Sequence, residues 1–262
     1  MSTILTTKTV LLTAAVCVAA AAALQGADHA FKWKVHDMDR PAPAQVTPGD
    51  YCSHGAPSDA TVLFAGSSTE NLVRFGTDQP ILWKVEGNEL VVAQGGGDIA
   101  TRESFGDCQL HVEWMVPADR ECKGQAGCNS GVFFMSQYEV QIVQSLDNRT
   151  YSDGTAGSLY GQHPPMVNPC TPKGEWNAYD IVFRAPHFNA DGSVARAATV
   201  TVFFNGVLVQ DNTAILGSTA HMQRAKYTQH ADRLPIKFQD HGDPLRFRNM
   251  WVREIGPQPM AQ

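Results

Sequence analysis

Tyr138-Glu139-Val140-Gln141-Ile142 is the run that decides the fold. Extended backbone sends successive side chains to opposite faces, so Tyr138, Val140 and Ile142 share one side and Glu139 and Gln141 the other. Three apolar residues on one side require a core to cover them, and the polar pair must face water or a cleft. Outward from this run the same alternation recurs. Over 108–116, Cys108, Leu110, Val112 and Trp114 fall on one face, with Gln109, His111 and Glu113 on the other. Further strands are expected at 81–85, 89–93, 131–135, 176–184, 199–204, 207–210, 235–239 and 245–255. Glu86-Gly87-Asn88 reads as a hairpin break, and Asn205-Gly206 as a tight hairpin turn whose residues tolerate positive φ. No twelve-residue stretch beyond the N-terminal segment carries a 3.6-residue apolar period. The expectation is an all-β sandwich or jelly roll of two antiparallel sheets, in one domain over 61–257.

The N-terminus reads differently. Lys8 precedes an alanine-rich apolar stretch at 10–24, and small residues follow to Gly26, which makes 1–26 a signal peptide. The stretch is too short and alanine-rich for a membrane span, so none is expected after cleavage. Cys17 follows Val16, where a lipoprotein signal carries Gly or Ala, so release is favoured over anchoring. The protein is therefore expected to be exported, periplasmic or extracellular. Residues 27–60, rich in Pro, Asp, Gly and Ala, read as an irregular arm.

Export admits disulfides. Cys122 and Cys128 flank a polar stretch and are expected to close a small loop; a Cys52–Cys170 pair is a weaker candidate. Cys108 lies in a strand and reads as a buried apolar residue. No cysteine spacing fits zinc. A formal charge of -6 and the absence of a basic stripe exclude a nucleic-acid partner.

Several polar groups are candidates for chemistry. Glu139 is placed for proton transfer, with Gln141 two residues on to grasp a hydroxyl. Glu113 ends the polar face of its strand beside Trp114. Gly174-Glu175-Trp176-Asn177 offers a carboxylate and an indole that can stack on a sugar ring or join the core. Gln239-Asp240-His241-Gly242, followed by Arg246 and Arg248, offers an imidazole that Asp240 could tune. Asn129-Ser130-Gly131 reads as a turn able to bond a ligand. Other templates fail: there is no G-x-S-x-G elbow and no H-E-x-x-H, and Gly95-Gly96-Gly97 precedes no helix.

Taken in order, these runs resemble the 3-keto-disaccharide hydrolase family from near Ala60 to Ile255. The carriers are Trp83-Lys84-Val85-Glu86-Gly87, Gly95-Gly96-Gly97-Asp98-Ile99, Phe105-Gly106-Asp107 leading to Glu113-Trp114, Asn129-Ser130-Gly131-Val132-Phe133 and Tyr138-Glu139-Val140-Gln141-Ile142. Residues 157–161, Gly174-Glu175-Trp176-Asn177, Asn205-Gly206-Val207, Gln239-Asp240-His241-Gly242 and Arg246-Phe247-Arg248-Asn249 complete the set. An insert at 118–128, Cys108 in place of an aromatic, and the arm depart from the pattern.

The resemblance implies a concanavalin A-like jelly roll whose concave sheet carries a groove, and action on glycosides oxidised at C3. A C3 ketone acidifies the C2 proton, so a base can remove it, the C1 substituent leaves, and water adds later. Such chemistry needs a base near C2, an electrophile near the ketone oxygen and an acid near the leaving oxygen. Glu139 or His241 is assigned the base, and Arg248 or a divalent cation the electrophile, with no ligand spacing to demand an ion. Gln141, Glu113 and Trp176 would orient the sugar, with Asn129, Glu175, Gln239 and Asp240 as further contacts. The expected partner is a small 3-keto-glycoside. Two rivals are a lectin-like sugar-binding module and a retaining glucanase. The glucanase needs a second carboxylate on the Glu139 strand, where Gln141 and Val143 stand instead.

Overall fold

The computed structural model describes residues 32–48, 52 and 55–256. The signal-peptide reading of 1–26 lies outside them. The described residues from Val35 to Gly256 belong to one compact unit.

Two antiparallel sheets dominate. The five-stranded sheet runs in the order Leu72–Arg74, Ile99–Phe105, Leu234–Phe238, Asn129–Phe134, Tyr138–Val143. The eight-stranded sheet runs Val207–Ala214, Thr199–Phe204, Asn177–Arg184, Cys108–Met115, Arg246–Glu254, Glu89–Val91, Lys84–Glu86, with Thr61–Phe64 also paired to Arg246–Glu254. Their inner faces meet in an aromatic core. Phe134 of the smaller sheet stacks on Phe183 of the larger at 4.7 Å, and Phe238 meets Phe247 at 6.3 Å. The Tyr179 hydroxyl crosses between the sheets to donate to the Gln141 carbonyl at 2.7 Å, which satisfies a phenol that is wholly buried.

The expected all-β jelly-roll sandwich is the fold observed. Its strands differ from expectation in particulars. Residues 81–83 are not in a strand; only Lys84–Glu86 pairs there. Asn129-Ser130-Gly131 is not a turn but the start of a buried strand. Its hairpin turns instead at Met135 and Ser136, both at positive φ without a glycine to announce it. Ile99–Phe105 was not expected, because Thr101, Arg102, Glu103 and Ser104 break the alternation; pairing with Leu234–Phe238 shifts register there.

Cys122 and Cys128 form a disulfide. Cys52 and Cys170 do not pair: neither is in a disulfide. Cys170 is buried with its Sγ against Gln144 and Thr171, whereas Cys52 lies beside Arg248. Within the arm, Ala44–Gln45 adds a short parallel pair to Val167–Asn168.

Candidate active site

Two rows of side chains on the outer face of the five-stranded sheet build a cavity of about 350 Å³. Register sets both rows. Lys237 pairs with Phe133, and Phe133 with Glu139, so these three stand abreast across adjacent strands. In the next row Gly131 pairs with Gln141, and the Gln239 N–H donates to the Gly131 carbonyl at 3.0 Å. Gly131 is therefore the hollow itself, a position without a side chain between two amides. A Cβ there would collide with Glu139 Oε1 and lie 2.9 Å from the Phe133 ring. Gly131→Ala is accordingly expected to displace the Glu139 carboxyl and to lower kcat about tenfold or more. Unchanged steady-state kinetics of that variant would show that the carboxyl position does not matter.

Glu139 is 6% exposed. Burial pushes its carboxyl up to about 8, Lys237 pulls it down and Asp98 pushes it up. Lys237 is anchored by an ion pair to Asp98 at 2.8 Å, and its ammonium sits 3.9 Å from the Phe133 ring centroid. Asn129 lines the same cavity; its amide donates to the Gln125 carbonyl at 2.7 Å, while its Oδ1 is buried with no hydrogen-bond partner. Gln141 Oε1 accepts from the Ile142 N–H at 3.0 Å, which leaves its amide nitrogen to donate. His241 lines the cavity from an exposed turn. The Asp240 carboxylate accepts from the Gly97 and Gly242 N–H groups, each at 2.9 Å, and so ties two loops together.

Glu139 and His241 thus share one cavity with Asn129, Gln141 and Gln239. Arg248, Glu113 and Trp176 do not join them. They lie on strands or loops of the eight-stranded sheet, and Glu113 points away from the inward-facing Val112 and Trp114, hence to the opposite outer surface of the sandwich. There Arg248 Nε donates to Glu113 Oε2 at 2.6 Å and its guanidinium lies 4.0 Å from the Trp176 ring centroid. Glu175 lines a separate hollow with Gln45, Cys170 and Pro172.

The sequence reading missed Lys237, Tyr160 and His221, which also line the cavity. Lys237 was legible in principle, since it alternates with the inward Ile236 and Phe238. Tyr160 and His221 sit in irregular segments that no periodicity locates. Among the described residues no three His, Cys, Asp or Glu side chains are grouped to hold a metal ion.

The comparisons with known proteins agree with this fold. A sequence profile described as a 3-keto-alpha-glucoside-1,2-lyase-like domain matches residues 59–253. A 3-keto-disaccharide hydrolase of Bacteroides thetaiotaomicron is 24% identical over 248 residues, covering 74% of this chain and 77% of that protein. A crystal structure from Parabacteroides distasonis, provisionally described as a glycosyl hydrolase, superposes with a TM-score of 0.76 at 40% identity, over 82% of this chain and 93% of that one. A second from the same organism, described likewise, shares the fold at TM-score 0.54 and 18% identity, over 75% and 94%. With its profile matched across most of the sandwich, this chain belongs to the family of 3-keto-alpha-glucoside-1,2-lyase-like domains, proteins that act on glycosides.

Proposed function

We propose that the protein cleaves glycosides carrying a ketone at C3, by proton abstraction at C2, elimination of the C1 substituent and later addition of water. The observation that supports this reading is a single buried carboxyl, Glu139, set one strand from the Lys237 position on either side of Phe133 in a hollow of sugar-ring dimensions. A carboxylate whose proton affinity burial has raised is a stronger base toward carbon than a solvated one. An ammonium held by Asp98 can receive the ketone oxygen and stabilise the enolate that forms. Lys237 takes the role that the sequence reading had given to Arg248 or to a cation, so no step is routed through a metal. Gln141, Gln239 and Asn129 supply amides for ring hydroxyls.

A two-carboxylate glycosidase fits less well. That mechanism places acidic residues on both sides of the scissile bond, and among the described residues Glu139 is the one acidic side chain lining this cavity. The discriminating experiment compares a 3-keto-glucoside with the unoxidised glucoside. Turnover of the oxidised sugar alone is expected. Hydrolysis of both, or binding of the oxidised sugar without turnover, would overturn the proposal, the latter in favour of a sugar-binding module.

Lys237→Met tests the electrophile. Loss of the ammonium is expected to lower kcat about 100-fold. Because Lys237 holds the Glu139 carboxyl down, its removal should also move the acidic limb of the pH–rate profile to higher pH. A limb that stays put would remove Lys237 from the base's surroundings.

The same reading takes the protein to be exported, and the Cys122–Cys128 bridge suits an oxidising compartment. Fractionation that leaves the full-length chain in the cytoplasm would overturn that part.

A further inference from the structure

Elimination needs a third group that neither Glu139 nor Lys237 supplies. Sugar alkoxides are poor leaving groups, so the departing oxygen must receive a proton as its bond to C1 breaks. Among the described residues two imidazoles reach the cavity. His241 stands on an exposed turn, and its ring has no hydrogen-bond partner among the described residues. His221 is held: its Nδ1 lies 3.2 Å from the Tyr160 hydroxyl, which lies 2.8 Å from the Tyr151 hydroxyl. With Nδ1 occupied by the phenol, Nε2 is the ring nitrogen left for a ligand.

The backbone fixes this imidazole relative to the base. Tyr138–Val143 is an edge strand, and irregular segments cover the side that no other strand of the sheet pairs with. The Glu139 N–H donates to Thr219 Oγ1 at 3.0 Å, and the Glu139 carbonyl accepts from the Tyr160 N–H at 3.3 Å. The backbone of the base residue, through its N–H and its C=O, thus gathers both the segment that carries His221 and the tyrosine that holds it. A third clamp comes from ahead of the family match at 59–253. His36 stacks on Tyr151 at 3.9 Å; its Nε2 accepts from the Met222 N–H at 3.2 Å, and its Nδ1 lies 3.4 Å from the buried Asp153 carboxylate. If Nε2 accepts, Nδ1 carries the proton and donates to Asp153.

We infer that His221 is the acid that protonates the departing glycosidic oxygen, and that His36 is a positioning residue that holds the His221 segment in place. The inference rests on the 3-keto-glycoside reading above. Proton and electron movements balance as follows. Glu139 takes the C2 proton and the pair passes to the ketone oxygen as an enolate. Collapse of the enolate forms C1=C2 and breaks the C1–O bond, whose pair is protonated from Nε2 of the His221 imidazolium. Nδ1 keeps its own proton, which it donates in a hydrogen bond to the Tyr160 oxygen. Solvent then exchanges the proton gained by Glu139 and the one lost by His221.

The test exploits leaving-group basicity. Wild type, His221→Gln and His36→Ala are assayed on two 3-keto-glucosides, one releasing a sugar and one releasing p-nitrophenolate, which departs without a proton. His221→Gln is expected to lose about 100-fold in kcat on the sugar leaving group and under about threefold on the nitrophenyl compound. His36→Ala should show the same skew at about tenfold. A merely structural role would lower both substrates alike, and equal losses or none would overturn the inference while leaving the 3-keto reading intact. A wild type inert on both compounds would overturn that reading and this inference with it. Melting temperatures of the variants separate misfolding from lost chemistry, and the ratio of the two rates is insensitive to the folded fraction.

Discussion

Glu139→Gln is expected to reduce kcat on a 3-keto-glucoside by about 10³–10⁴-fold, the upper part of the range for removing a positioned base. Gln keeps the volume and the hydrogen-bonding capacity of the side chain, so the cavity and its affinity for sugar should survive. The wild-type carboxyl lies near 8 because it is buried, so activity on the nitrophenyl compound, whose leaving group needs no acid, should rise as pH climbs through that region, where the base becomes charged. Stability moves the other way. The carboxyl is raised from its ordinary 4.5, so between 4.5 and about 8 the folded protein holds a proton that the unfolded chain has released. The wild type therefore loses stability as pH rises through that window, and the loss is complete above the folded value. Glu139→Gln removes it. The variant should melt a few degrees above wild type at pH 9 and at the same temperature near pH 4. A variant with near-normal turnover, or one that melts lower at pH 9, would show that Glu139 is neither the base nor a strained acid.

Arg248→Met is expected to do the opposite: spare the chemistry and damage the fold. The Glu113 carboxylate has a side-chain exposure of 1% and takes a 2.6 Å contact from Arg248. The Asn249 amide adds a hydrogen bond at 2.9 Å, and His111 lies 3.6 Å away, itself bonded to Asp180 at 2.7 Å. Removing one partner leaves a buried charge short of compensation, at a cost of about 3 kcal/mol. For a domain of this size that is roughly a 6–12 °C fall in Tm. On the remaining folded protein, kcat for the 3-keto-glucoside should stay within about twofold, since Arg248 faces the surface opposite the cavity. Adding Glu113→Gln to Arg248→Met should recover part of the lost stability, because the stranded charge is gone. A large fall in kcat with Tm unchanged would return Arg248 to the catalytic machinery.

Much of the site was legible from residue order. Glu139 and Gln141 were placed on a polar face by three apolar neighbours, and that face lines the cavity. His241 and Gln239 were drawn from a turn that closes the same hollow. Gly131 was seen as part of a turn, and its purpose appears only when the register sets it between Gln141 and Gln239. Tyr160 and His221 were out of reach, because neither belongs to a regular element. Their places follow from hydrogen bonds to the Glu139 peptide, and no local pattern encodes such a contact.

Arg248, Glu113 and Trp176 mark the limit most clearly. Alternation in 108–115 correctly sent Glu113 away from the core, as alternation in 138–143 did for Glu139. A sandwich has two outer surfaces, however, and a period of two distinguishes inside from outside without saying which outside. The sequence by itself determined the class of fold, the inward and outward sense of the residues in the 108–116 and 138–142 strands, and many of the polar groups available for chemistry. The tertiary structure alone decided which of those groups meet, because sheet membership is set by pairing between segments distant in sequence: the Glu113 strand pairs with Asn177–Arg184 and Arg246–Glu254, whereas the Glu139 strand enters the other layer through Asn129–Phe134, which pairs with Leu234–Phe238.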